Sequence, residues 1–178
     1  MTQLKSEDIT ALIILDVQAG SRWLSKYIFR GAVPDSYEQI VTRDQEIADA
    51  FMKKGWPIFV VTSRPAFLPA SLGDRFAFSL VNVRQAANVF KLDKTRPDAF
   101  KNTDLMTLLK RQQIKKTVII GCTIDNTVTK TVKTAETNGL ATLVIADASA
   151  ARSLSVHQKA ASAFKHVENT AEILKRIQ

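Results

Sequence analysis

The chain has 178 residues, 46% hydrophobic and 24% charged, enough for one domain that buries about 70% of the surface its unfolded form exposes. No apolar run approaches the roughly 18 residues a membrane-spanning helix needs, and a single cysteine, Cys122, excludes an internal disulfide and a cysteine metal cluster. The net charge of +8 comes from basic pairs spread along the chain (Lys53 and Lys54, Lys110 and Arg111, Lys115 and Lys116, Lys175 and Arg176); most sit near predicted helix ends, where cations complement the helix dipole, so no nucleic-acid partner is expected.

The polar stretch 1–8 lacks the basic-then-apolar pattern of a secretory leader, so a cytoplasmic location without a membrane is expected. The apolar run 11–15 then predicts a first strand, followed by a helix that starts at Asp35 with Glu38 as a capping box. That helix places Tyr37, Ile40, Ile47, Ala48 and Phe51 on one face and stops at Gly55 before Pro57. A second apolar run, 58–61, predicts the next strand. The stretch 63–88, with Pro65, Pro69 and Gly73, reads as a loop over the top of the sheet.

Further strands are predicted at 89–92, 118–120 and 141–146, with a short one at 164–167. Helices are predicted at about 103–112, 126–138, 153–163 and 170–177, the last after an Asn169-Thr170 cap. The clearest strands are continuous apolar runs rather than alternating ones, the pattern of strands buried on both faces. Alternating strand and helix gives βαβ units, a mostly parallel sheet of five to six strands, and one α/β domain over 1–178.

In such a sheet, ligands bind beyond the carboxyl ends of the strands. That rule selects Asp16, Ser63 and Arg64, Lys94, the turn 121–127, and Asp147. A carboxylate, an ammonium and a tight turn into a helix would supply acid–base chemistry beside backbone N–H donors. His157 reads as a surface residue of its helix, while Trp23, Tyr27, Phe76 and Phe78 read as pocket lining, loop anchors or a subunit contact. A dinucleotide site is excluded, because residues 16–20 lack the glycine-rich fingerprint.

An ordered set of motifs carries a resemblance: LDVQ at 15–18, KTRPDAF at 94–100, NTDL at 102–105, Leu108 and Leu109, Gly121 to Val128 with Thr131 and Ala135, and Gly139 to Asp147. In this order and spacing the chain resembles the isochorismatase-like hydrolases, also called the cysteine hydrolase superfamily. The resemblance implies a three-layer α/β/α sandwich with Asp16 as catalytic carboxylate and Lys94 as its partner. It also implies a non-proline cis peptide between Cys122 and Thr123, these two and Gln18 serving substrate or oxyanion binding. Thr127 stands at the family's nucleophile position, six residues after Gly121, where the family has cysteine.

A threonine hydroxyl is far less acidic than a thiol, so the thioester route is not expected. The family contains members that cleave a vinyl ether through the carboxylate and water. The metal-binding Asp-x-His of nicotinamidase-like members is missing from 62–67, so no metal and no cofactor are expected. The expected activity is therefore hydrolysis of a small carbonyl- or carboxylate-bearing metabolite by Asp16 and Lys94. The alternative is a non-catalytic small-molecule binding or assembly protein. By the same resemblance the chain is expected to form a dimer or larger homo-oligomer.

Overall fold

In the computed structural model, which describes residues 9–64, 68–84 and 86–177, six parallel strands make one sheet in the order β3-β2-β1-β4-β5-β6. They are β1 (Thr10–Leu15), β2 (Ile58–Ser63), β3 (Val89–Lys94), β4 (Lys116–Cys122), β5 (Ala141–Ala150) and β6 (Val167–Glu168). The expectations for the stretch 1–8 and for Pro65, Ala66 and Phe67 fall outside the described residues.

The continuous apolar runs are buried on both faces, as their composition requires. Along β1, Leu12 and Ile14 face one core with Ile47 and Phe51 of α2 (Tyr37–Lys54) and Ile173 of α7 (Thr170–Ile177). Ile13 and Leu15 face the other, with Leu105 and Leu109 of α4 (Leu105–Arg111) and Val132 of α5 (Thr129–Thr137). Helix α6 (Leu154–Ser162) covers the same second face through Val156 and Ala160. The sheet lies between two helical layers. No helix among the described residues is long and apolar enough to cross a membrane.

Several expected boundaries move. The capping box of α2 is formed by Ser36 and Gln39, one residue later than Asp35 and Glu38, and the helix ends on Gly55 at φ 67°. The predicted helix 126–138 begins as a π-helical turn, Ile124–Val128, before α5. The short strand lies at Val167–Glu168 rather than 164–167. Two helices were not anticipated: α1 (Ala19–Tyr27), and α3 (Ala70–Ala77) inside the stretch read as a loop.

Strand order reverses between β1 and β4. Crossovers run one way through β2 and β3 and the other way through β5 and β6, so the carboxyl ends of β1 and β4 open a crevice between them. The register pairs Leu15 with Gly121. A Cβ at Gly121 would overlap the Leu15 carbonyl, and its φ is +139°, so only glycine lets the two strand ends approach this closely.

Candidate active site

The crevice holds a cavity of about 670 Å³, walled in part by Asp16, Gln18, Ser63, Cys122, Thr123 and Thr127. Asp16 follows β1 directly and has φ 55°, a left-handed conformation that a non-glycine residue adopts at a cost. Strain of this kind gathers where a side chain must be aimed. Here it sends the carboxyl group into the cavity wall, 6% exposed.

Lys94 Nζ donates to Asp16 Oδ2 at 2.7 Å and to Ser63 Oγ at 2.9 Å. Ser63 Oγ donates to Asp16 Oδ1 at 2.8 Å, and Thr127 Oγ1 donates to Oδ2 at 3.2 Å. Three donors thus converge on one carboxyl group, which is what a carboxylate's lone pairs accept. The Lys94 side chain is 1% exposed and comes from behind the cavity wall. A buried ammonium is costly unless paired and hydrogen-bonded, and Asp16 and Ser63 supply both.

The register explains how these groups meet. Ser63 and Lys94 are direct neighbours on β2 and β3, while Asp16 N bonds Val61 O at 2.9 Å, setting the end of β1 beside β2. Gln18 holds the group from below. Its Nε2 donates to Ser63 O and Phe76 O, both at 2.9 Å, and its Oε1 accepts from Ser63 N at 2.8 Å. Both amide hydrogens of Gln18 are therefore committed to backbone carbonyls, and the residue also lines the cavity.

On the β4 side, the Cys122–Thr123 peptide is cis, as the resemblance implies; a second cis peptide, Val33–Pro34, was not anticipated. Cys122 donates its thiol to Tyr37 Oη at 3.7 Å. Burial above all pushes that thiol above its ordinary value; burial likewise pushes the Tyr37 phenol up. Cys122 is thus a protonated, buried group in the wall.

Other strand-end candidates are used elsewhere. Asp147 Oδ1 accepts from Thr170 N at 2.8 Å and Thr170 Oγ1 at 2.9 Å, tying β5 to the start of α7. Arg64 pairs with Asp74 and Asp93 outside the cavity. His157, expected at the surface, is buried with Nε2 2.9 Å from Ala146 O. In the 94–100 motif, Asp98 Oδ2 accepts from Thr134 Oγ1 at 2.8 Å and Ala99 N donates to Thr131 Oγ1 at 3.1 Å. That motif therefore fastens the loop after β3 to α5. No group of three or more His, Cys, Asp or Glu gathers as a metal site among the described residues.

Sequence reasoning missed Leu24 and Phe29, which with Phe76 form part of the cavity wall. Phe76 packs on Trp23 with ring centroids 5.9 Å apart, whereas Phe78 is 61% exposed. Lys130 and Arg152 also line the cavity. Among the described residues neither has an ion pair, and both are exposed.

An isochorismatase domain matches residues 10–176, and among curated proteins none matches. Solved structures are similar. An isochorismatase family protein from Burkholderia thailandensis is 24% identical, with TM-score 0.81 over 95% of this chain and 95% of that one. A nicotinamidase from Staphylococcus aureus is 23% identical, with TM-score 0.68 over 90% of this chain and 99% of that one. An isochorismatase-like hydrolase from Alkaliphilus metalliredigens is 19% identical, with TM-score 0.74 over 95% and 99%.

Proposed function

The chain belongs to the isochorismatase family, and we propose that within it this protein is a hydrolase acting on a small carbonyl- or carboxylate-bearing metabolite through Asp16 and Lys94, without a cysteine nucleophile and without a cofactor. The observation that carries this reading is the buried pair, Lys94 Nζ 2.7 Å from Asp16 Oδ2 at the wall of the cavity. Asp16 exchanges protons with the substrate. Lys94 fixes its rotamer and holds a compensating charge beside it.

The reading without a cysteine nucleophile is supported by Cys122, the chain's one cysteine, whose thiol is protonated and engaged by Tyr37. A thiol must be ionised to attack. Thr127, at the family's nucleophile position, donates to the oxygen of Asp16 that Lys94 also occupies, which makes it a supporting donor. Lys130 and Arg152 at the cavity suit a substrate carrying negative charge, and the apolar wall suits a compact hydrocarbon body.

The experiment is turnover of vinyl ethers, amides and imidic substrates by purified protein without added metal, wild type against Asp16→Asn. General acid–base groups contribute about 10²–10⁴-fold, so Asp16→Asn should remove measurable turnover while the circular dichroism spectrum is retained. Thr127→Ala should cost less than Asp16→Asn. Equal loss in both would require a threonine nucleophile, and undiminished turnover in Asp16→Asn would refute the mechanism. A wild type that turns nothing over but gains activity as Thr127→Cys would favour the second reading, a binding protein that keeps the pocket without the chemistry.

A further inference from the structure

We propose that Ser63 is the nucleophile: its hydroxyl attacks ester or amide carbonyls and carries the acyl group as a covalent intermediate. The proposal rests on the hydrolase reading and adds to it the atom that attacks. A usable nucleophile needs a base within about 2.6–3.2 Å, a third group orienting that base, and access to the substrate. Ser63 meets all three conditions: its Oγ donates to Asp16 Oδ1 at 2.8 Å, Lys94 orients Asp16 from 2.7 Å, and Ser63 lines the cavity.

Three further observations separate it from the other hydroxyl. The two oxygens of Asp16 are divided, Oδ1 serving Ser63 while Oδ2 serves both Lys94 and Thr127. A proton leaving Ser63 therefore has an oxygen that no other donor occupies, whereas one leaving Thr127 would arrive beside an ammonium, from 3.2 Å rather than 2.8 Å. Lys94 Nζ also lies 2.9 Å from Ser63 Oγ, where its charge stabilises an alkoxide as it forms. In addition, Gln18 accepts from Ser63 N and donates to Ser63 O. That two-point hold fixes the backbone of the residue, as a reacting group requires.

Ser63 Oγ forms a bond to the carbonyl carbon, its proton passes to Asp16 Oδ1, and the C=O π pair becomes an oxyanion. Re-formation of the carbonyl breaks the bond to the leaving alkoxide or amide, which takes the proton from Asp16. Water then attacks the acyl-serine, Asp16 accepting and returning its proton, and a carboxylic acid departs with Ser63 restored. Lys94 stays protonated throughout, and no oxidant, reductant or metal enters.

The test uses p-nitrophenyl acetate, followed by stopped-flow absorbance and peptide mapping by mass spectrometry. Expected is a burst of one p-nitrophenol per chain with acetyl on the peptide containing Ser63. In Ser63→Ala the burst should vanish and turnover fall about 10³-fold or more, the scale of nucleophile loss in a hydrolase. An acetyl group on Thr127, or turnover in Ser63→Ala equal to wild type, overturns the proposal and leaves the hydrolase reading standing. A wild type with neither turnover nor adduct overturns the serine nucleophile, while the hydrolase reading stands or falls on turnover of the vinyl ethers, amides and imidic substrates. A second variant guards against misfolding: in Ser63→Cys, iodoacetamide should alkylate position 63 before Cys122, and alkylation of Cys122 first would overturn the placement of a reactive group beside Asp16.

Discussion

Asp44, on α2, is 0% exposed, and neither carboxyl oxygen has a hydrogen-bond partner among the described residues. Burial first, and then the charge of Asp147, raise it well above its ordinary value of 3.8, against a smaller opposing pull from Arg43. Above pH 3.8 the unfolded chain releases this proton while the folded chain retains it. Folding therefore takes up a proton, and stability falls as pH rises toward the folded value, with a slope of about 1.4 kcal/mol per pH unit. Against a total of about 5–15 kcal/mol for a domain, each unit matters.

Asp44→Asn removes the titration but keeps the shape, and Asp44→Leu also removes the unpartnered polar atoms, whose burial costs about 1–3 kcal/mol. Urea unfolding followed by tryptophan fluorescence at half-unit steps from pH 4.5 to 7 gives the difference between each variant and wild type, in which all other titrations cancel. That difference should grow with pH in favour of the variants, and Asp44→Leu should exceed Asp44→Asn. A flat difference, or variants losing ground as pH rises, would refute the reasoning, because it would mean that Asp44 is ionised and partnered in the folded protein.

Two other expectations follow from packing. Gly121→Ala would place a methyl group on the Leu15 carbonyl at a φ of +139° and should cost more than about 4 kcal/mol; a urea midpoint near that of wild type would refute the close approach of β1 and β4. The exposed apolar residues at α1 and just after it, Trp23 45%, Tyr27 58%, Ile28 56% and Phe29 46%, form a patch expected to associate with a second copy, so light scattering should give a dimer or larger that Ile28→Asp shifts to monomer, whereas a monomeric wild type would refute it.

The strands could be read from the sequence because a segment buried on both faces must be apolar at successive positions, and β1, β2 and β4 carry such runs at 11–15, 58–61 and 118–120. Helix α2 was readable for the complementary reason, a single buried stripe with glycine at its end. The two helices that escaped have the reverse character. In α1 the buried residues are Gly20 and Ser25, while the large apolar side chains Trp23, Leu24 and Tyr27 are 40% exposed or more. In α3 the one buried residue is Gly73, and its N-cap, Pro69, makes no side-chain capping bond. Periodicity finds a helix by its buried large residues, so a helix packed through small ones leaves no signal. The end of β5 was missed for a related reason: its register against β4 shifts after Ile119, and Asp147, which breaks the apolar run, bonds to α7 instead of ending the strand.

At the site, position and partnership separate. The strand-end rule chose Asp16, Ser63 and Lys94 alike, since each closes a parallel strand or follows one directly, but it chose Asp147 and Arg64 on the same grounds. Position at a strand end alone does not distinguish them. The distinction comes from register: Ser63 opposite Lys94, and β1 between β2 and β4, bring together three groups separated by 47 and 31 residues. The motif resemblance supplied Asp16 and Lys94 but drew attention to position 127, where a hydroxyl shares an acceptor with the ammonium. A rule that follows the nucleophile's place in the chain looks there. The carboxylate itself has two faces, and the hydroxyl on the less crowded one belongs to β2, so the chemistry can pass from one side of Asp16 to the other without any change in the fold that presents it.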